Sequence, residues 1–386
     1  MLMLCYNVAL MLRLPVFPLK RINFRMIMPV AFAAVFALYI GAQSGMLSWS
    51  QAGSDASQTA TAGSSANGYG IAASFDMLSP AELETRMGEI SATGATWVRY
   101  DLSWNRAVEQ GFGGAYNWTA PDRVTASAKR HGLQILMVPG LTPAAYRMPG
   151  CSSGERCAPT DVAAYVKFVK AAAERYGTDI QAWEIWNEPN ISYRFGPSVD
   201  VTKYVNMLKG AYKEIKLANP EAIVLGGSIA PTATTYRDLR PLDFVNAMYE
   251  KGAAGYFDAL AMHPYTYPIM PNDSTPADAW GQMKTAHQVM IDHGDGDKKI
   301  WITEFSAPTN GPDLPGEYVD EDTQADILAQ AATIYRGFDW SGPFMWYELK
   351  DSGTSTVSSE YFYGLKRADG TTKPAYNVWL RLTSME

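Results

Sequence analysis

Cysteine and histidine are scarce in this chain, with three and four copies in 386 residues. No His and no second Cys pair accompanies Cys151 and Cys157, so the spacing of a zinc site is missing. No glycine-rich phosphate loop follows the first apolar stretch, which ends in Phe75-Asp76-Met77, so a nucleotide-binding open sheet lacks its signature. Positive charge is also short. Thirty-two Lys and Arg face 39 Asp and Glu, for a formal charge of −7, which leaves no basic footprint for nucleic acid. None of these absences needs a metal or an organic cofactor to fill it, and neither is expected.

Long hydrophobic runs are rare too, and the one at residues 26–42 is informative. Arg13, Lys20, Arg21 and Arg25 precede M-I-M-P-V-A-F-A-A-V-F-A-L-Y-I-G-A. A basic flank before an apolar run of this length is either a signal peptide with a long n-region or an N-terminal signal anchor. Ala42 and Ser44 offer a weak cleavage site. Residues 1–49 are therefore expected to be a leader that is either removed or kept as a membrane tether. Residues 50–67 read as a flexible Ser/Ala/Gly/Thr linker. Both alternatives put residues 68–386 outside the cytoplasm, secreted or held at the cell surface. In such a compartment Cys151 and Cys157, flanking S-S-G-E-R, are candidates for a small disulfide.

Aromatic residues are plentiful, with 11 Trp and 22 Tyr. They suit either core packing or a cleft whose flat rings stack on sugars. Apolar stretches recur at 69–75, 96–100, 133–138, 180–186, 222–227, 257–263, 299–304 and 343–347. Their two-sided hydrophobicity is that of parallel strands buried on both faces. Helical patterns alternate with them: one from Ser79-Pro80-Ala81-Glu82 to Gly94, one opened by Thr160 and ending before Gly177, and others near 200–217, 241–251, 276–293, 323–337 and 373–382. Eight such units predict an α/β fold of the (β/α)8 TIM-barrel type, with chemistry at the C-terminal strand ends.

Those ends carry Asp76, Arg99 with Asp101, Asn187-Glu188, His263-Pro264-Tyr265, Glu304 and Trp346-Tyr347-Glu348. Glu188 ends the fourth strand and Glu304 the seventh, so both should face one mouth from nearly opposite sides. Two carboxylates across a sugar-sized gap are what glycosidic bond cleavage requires, one as proton donor and one ionised. Aromatic surroundings are expected to raise the donor's pKa by desolvation. Glu184 shares its strand face with Glu188 but lies deeper, and reads as a buried ion-pair partner of Arg99 or a lysine.

These residues resemble the retaining glycoside hydrolases of clan A. Trp186-Asn187-Glu188-Pro189 is similar to their acid/base signature, and W-I-T-E-F ending in Glu304-Phe305 to their nucleophile strand. Arg99, His263-Pro264-Tyr265, Trp346 and the tail Tyr363-Gly364-Leu365 with Gly370–Tyr376 add to the likeness. Within the clan the chain looks most like family 39, with family 5 next, although no histidine follows the third strand as family 5 would have it. The resemblance implies Glu188 as acid/base, Glu304 as nucleophile and Asn187 as a contact to the sugar 2-hydroxyl. Tyr265 and Arg99 would hold Glu304, His263 would contact sugar or acid/base, and Trp346 would floor the cleaved residue. A loop at 107–118 with Phe112, Tyr116 and Trp118 is expected as a further wall. The expected partner is a polysaccharide or oligosaccharide of the cell wall or extracellular matrix, handled by a monomer. A transglycosylase would use the same residues, whereas a non-catalytic carbohydrate-binding barrel would lack one carboxylate.

Overall fold

The computed structural model describes residues 68–109, 115–275 and 278–385. The leader and linker expected at 1–67 lie outside them, and among the described residues no helix is long and apolar enough to cross a membrane. Eight parallel strands form a closed barrel: β1 (Tyr69–Ala72), β2 (Trp97–Ser103), β3 (Gln134–Gly140), β4 (Ala182–Glu184), β5 (Ile223–Ile229), β6 (Ala259–Met262), β7 (Ile300–Phe305) and β8 (Ser341–Tyr347). Each pairs with the next, and β8 returns to β1 through Tyr69↔Phe344 and Ile71↔Trp346.

A surrounding layer holds α1 (Pro80–Ala92), α2 (Trp104–Glu109), α3 (Thr119–Arg130), α4 (Val162–Tyr176), α5 (Val201–Ala218), α6 (Pro241–Glu250), α7 (Ala279–Asp292), α8 (Glu321–Arg336) and α9 (Pro374–Thr383). Local chemistry sets their starts. Ser79 and Glu82 close a reciprocal capping box, with Pro80 following. Helix α4 is capped by Asp161, one residue beyond the expected Thr160, because the Asp161 carboxylate accepts from the amides of Ala163 and Ala164.

Two apolar layers follow from strand alternation. Inside the barrel, Trp97 and Trp301 meet edge to face at 5.2 Å and are offset by the small Ala182, Ala259 and Ala261. The other strand face packs on the helices. This alternation also decides what reaches the mouth. Two positions beyond inward Trp97 comes Arg99, two beyond Ala182 comes Glu184, and two beyond Met345 comes Tyr347.

The segment after β8 is fastened by Lys373 at the start of α9. Its buried ammonium donates to Asp351 Oδ1 (2.7 Å), Thr309 Oγ1 (2.8 Å) and the Phe362 carbonyl (3.0 Å). Close by, Glu348 is 7% exposed and its Oε1 has no hydrogen-bond partner. Burial pushes its carboxyl up from 4.5 to about 7, against weaker opposition from Arg86, Ser352 and Lys373. Between those values the folded protein keeps a proton that the unfolded chain releases, so the stability owed to this group is full below pH 4.5 and gone above 7. Glu348→Gln should therefore gain about 3 kcal/mol on the wild type between pH 4 and pH 8. Paired urea titrations at the two pH values check this, and a pH-independent difference would contradict it.

Candidate active site

The mouth is assembled where the backbone leaves regular strand geometry. Among the described residues four non-glycine positions have left-handed φ: Leu141 after β3, Trp186 and Glu188 after β4, and Ser228 in β5. Such conformations cost on the order of 1–3 kcal/mol each and persist where neighbours over-determine them. The strand expected over 180–186 accordingly ends at Glu184. The twist at Trp186 and Glu188 turns the Glu188 side chain into the mouth. Trp186 stays 2% exposed and donates its indole N–H to the Arg194 carbonyl at 2.9 Å.

Arg99 is the hub. Its guanidinium donates to Glu184 Oε1 (2.7 Å) and Oε2 (3.2 Å), to Glu304 Oε1 (2.5 Å) and to Asn187 Oδ1 (2.6 Å). Burial opposes its charge, but Glu184, Glu304 and Asp101 more than offset this and hold the guanidinium protonated. For Glu184 burial favours the acid form, yet Arg99 first, then His263 and Ser228, hold it below its ordinary value. Glu184 is thus a fully buried ion-pair partner of Arg99. The other oxygen of Glu304 accepts from the Tyr265 hydroxyl at 3.2 Å. Burial and the neighbouring carboxylates push the Tyr265 phenol well up, so it remains a donor.

Glu188 has a different environment. Arg194 Nε lies 2.9 Å from its Oε2, and His263 Nδ1 lies 3.2 Å from Oε1. The far nitrogen of His263 meets Thr303 Oγ1 at 3.0 Å and Ser228 Oγ at 3.1 Å. The sequence led us to expect a raised pKa, and the structure corrects that. Burial does push Glu188 up, but the His263 hydrogen bond and the charges of Arg194, His263 and Arg99 outweigh it and hold the carboxyl below its ordinary value. His263 is wholly buried, so it touches Glu188 rather than any ligand in the cavity.

One oxygen of Glu188, one of Glu304 and a ring nitrogen of His263 all lie within 4.8 Å of one another. Such a set has ligands for a divalent cation, but the carboxylates are already engaged by Arg99 and Arg194. Two guanidinium groups at this range repel a dication, so the residues present do not fit a metal centre. At this range both carboxylates can reach one sugar unit, as the paired carboxyl groups of a glycosidase must.

A cavity of about 710 Å³ opens over this pair, lined by Arg99, Asn187, Glu188, Tyr265, Glu304 and, beyond them, Tyr193, Arg194, Tyr267, Tyr347, Glu360 and Tyr363. A second cavity of about 210 Å³ adjoins it beneath the ends of β1–β3, and the two share Ser74, Asp101, Arg156, Asn187 and Arg194. With Oδ1 of Asn187 taken by Arg99 and Ser228, its amide NH2 is the group it can offer to a ligand.

Several expectations need correction here. Trp346 is fully buried, packs edge-on against Phe305 and donates to the Tyr363 carbonyl, so it is not a floor. Alternation turns it to the helix layer, and Tyr347 takes the cavity face. Tyr116 and Trp118 pack on Phe168 of α4 instead of walling the cavity, and Phe112 lies outside the described residues. Cys151 and Cys157 are bonded. Their loop carries Glu155 and Arg156 into the second cavity. Arg156, Tyr193 and Arg194 went unnoticed in the sequence. The only signal was an aromatic-basic pair shortly after the N-E-P turn.

No protein-family model matches the chain, and no curated protein matches it. Solved structures do. A family 39 glycoside hydrolase from the gut symbiont Bacteroides cellulosilyticus superposes with a TM-score of 0.65 at 21% identity, over 82% of this chain and 63% of its own. A monomeric β-xylosidase from Caulobacter crescentus gives 0.62 at 15% identity, over 83% and 68%. A GH10 protein from Paenibacillus barcinonensis gives 0.55 at 15%, over 83% and 96%. The chain thus spans somewhat under two thirds of the first of these, and the likeness is one of fold: a (β/α)8 barrel.

Proposed function

We propose that this chain is a retaining glycoside hydrolase that cleaves an extracellular or cell-wall polysaccharide. The observation that carries the reading is the Glu188–Glu304 pair, two carboxylates at the mouth of a barrel with one oxygen of each within 4.8 Å of the other's, each with its own partners. The fold it shares with solved glycoside hydrolases supports the same reading, and the basic-apolar leader supports an exported location.

Glu304, positioned by Arg99 and Tyr265, attacks the anomeric carbon as the bond to the leaving oxygen breaks. Glu188 gives that oxygen its proton. Water then loses a proton to Glu188 and attacks the same carbon, releasing Glu304, so two inversions give net retention. The amide of Asn187 is placed to donate to the sugar 2-hydroxyl. Hydrolysis of a panel of activated aryl glycosides, followed by proton NMR of the first-formed sugar, tests the proposal. The product is expected with the anomeric configuration of the substrate. Inverted product, or no turnover across aryl glycosides and purified glycans, would overturn it.

A further inference from the structure

The Arg194–Glu188 contact is at odds with the acid role. A guanidinium 2.9 Å from the proton donor stabilises the ionised form, so the contact must loosen before Glu188 can hand over a proton. Among the described residues Glu304, Glu360 and Asp101 also act on Arg194, but none of them forms an ion pair with it within 4 Å. Beside it stands a second arginine with no carboxylate within 4 Å among the described residues. Arg156 donates to the Tyr193 hydroxyl at 3.1 Å, and both guanidinium groups lie against that same ring, 5.2 and 5.7 Å from its centroid. Tyr193 is 57% exposed, and both arginines line both cavities. Two like charges gathered on one open ring at the junction of two cavities repel each other until an anion comes between them.

Resting on the hydrolase reading above, we propose that Arg156, Arg194 and Tyr193 form an anion-binding subsite for an acidic glycan, one bearing a carboxylate on the sugar unit that crosses from one cavity to the other. The anionic group takes Arg194 from Glu188, and Glu188, losing its counter-charge, accepts the proton it needs as an acid. Charge then balances: one anion enters and one carboxylate is neutralised. The groups facing Glu188 are Arg99 from β2, His263 and Tyr265 from the end of β6, Glu304 from β7, Arg194 from its own loop, and Glu360 after β8. Of these, Arg194 is the cation that is partly exposed, at 30%, and reachable by substrate. Glu360 also lines the larger cavity and its charge acts on both arginines, so an entering anion competes with it for them. Arginine pairs suit carboxylates because two N–H groups can be offered in parallel. The stapled loop gives Arg156 a fixed base: the Ala158 amide donates to the Gly196 carbonyl at 2.9 Å, and Gly196 backs so closely on Cys151 that a Cβ there would lie 2.5 Å from its sulfur.

Calorimetric titration of the full chain with a glucuronate-containing trisaccharide, and with the same trisaccharide after its carboxyl is reduced to the alcohol, tests this without depending on turnover. The acidic probe should bind roughly tenfold to a hundredfold tighter, as a charge-assisted pair of hydrogen bonds provides. Arg156→Gln should bring the ratio near one, and Arg156→Glu should reverse it, in variants whose melting temperature matches wild type. Inorganic phosphate serves as the free-anion arm, and its affinity should fall well below that of the acidic sugar. Equal affinity for the two sugars, no binding of either, phosphate matching the acidic probe, or an unchanged ratio in Arg156→Gln would each overturn the subsite. None of these outcomes bears on the aryl glycoside assay, so failure of the subsite and failure of the hydrolase reading remain distinguishable.

Discussion

Glu304→Ala is expected to lower turnover of aryl glycosides by about 10⁴-fold or more, because in the proposed mechanism the covalent step loses its nucleophile. Glu188→Ala is expected to behave differently. Substrates with poor leaving groups should lose roughly 10²–10⁴-fold, the usual worth of a positioned general acid. Activated aryl glycosides, whose leaving group needs no proton, should be spared in the first step and slowed in the second. Azide separates the two roles further. In Glu304→Ala it can attack the free anomeric centre once, giving a glycosyl azide of inverted configuration. In Glu188→Ala it intercepts the covalent intermediate, giving the retained one. The assignment fails if Glu304→Ala keeps more than about a tenth of wild-type turnover, or if both variants give the same azide anomer. Neither variant should unfold the protein. Glu304 sits at the rim with its side chain 14% exposed, and Arg99 retains Glu184 when it is gone.

How much of this could be read from the residues depends on the signal each element left. The eight strands announced themselves because burial on both faces makes each a short continuous apolar run. Helix α3 did not. Its buried face is Pro121, Val124, Thr125, Ser127 and Ala128, small and partly polar residues whose period is faint. The two glutamates, Arg99 and Tyr265 were legible because strand ends at one barrel rim converge whatever the loops do. Trp346 was misplaced because the continuous apolar run P-F-M-W-Y does not show which of its positions face inward. In the structure Met345 points into the barrel, and alternation then gives Tyr347 the cavity face. The depressed pKa of Glu188 was out of reach. Its immediate neighbours suggest an apolar pocket, and the groups that reverse the shift come from Arg194, six residues on in an irregular loop, and from His263, on another strand. Loop cations such as Arg156 and Arg194 have no periodic signature, and only the folded backbone puts them on one ring.

Arg99 is where stability and chemistry are most tightly joined, and its replacement should show both. Arg99→Met leaves Glu184, 0% exposed, without its counter-charge in the centre of the barrel. Removing one partner of a buried pair costs about 3–5 kcal/mol. Part of that loss should return as the pH is lowered. Glu184 is held below its ordinary value only by its partners, chiefly Arg99, and without Arg99 burial would drive it to take up a proton. Arg99→Met/Glu184→Met removes both charges and fills the space with apolar volume, so most of the stability should be regained. Activity should not return with it. Glu304 would still lack its 2.5 Å partner and Asn187 its 2.6 Å partner, so kcat should stay down in single and double variants alike. Urea denaturation at pH 5 and pH 8, paired with kcat and KM on one aryl glycoside, separates the two effects. A double variant as unstable as the single would mean that Glu184 is not the charge Arg99 compensates. A double variant with restored kcat would mean that Arg99 matters only for folding, and that Glu304 is positioned by Tyr265 alone.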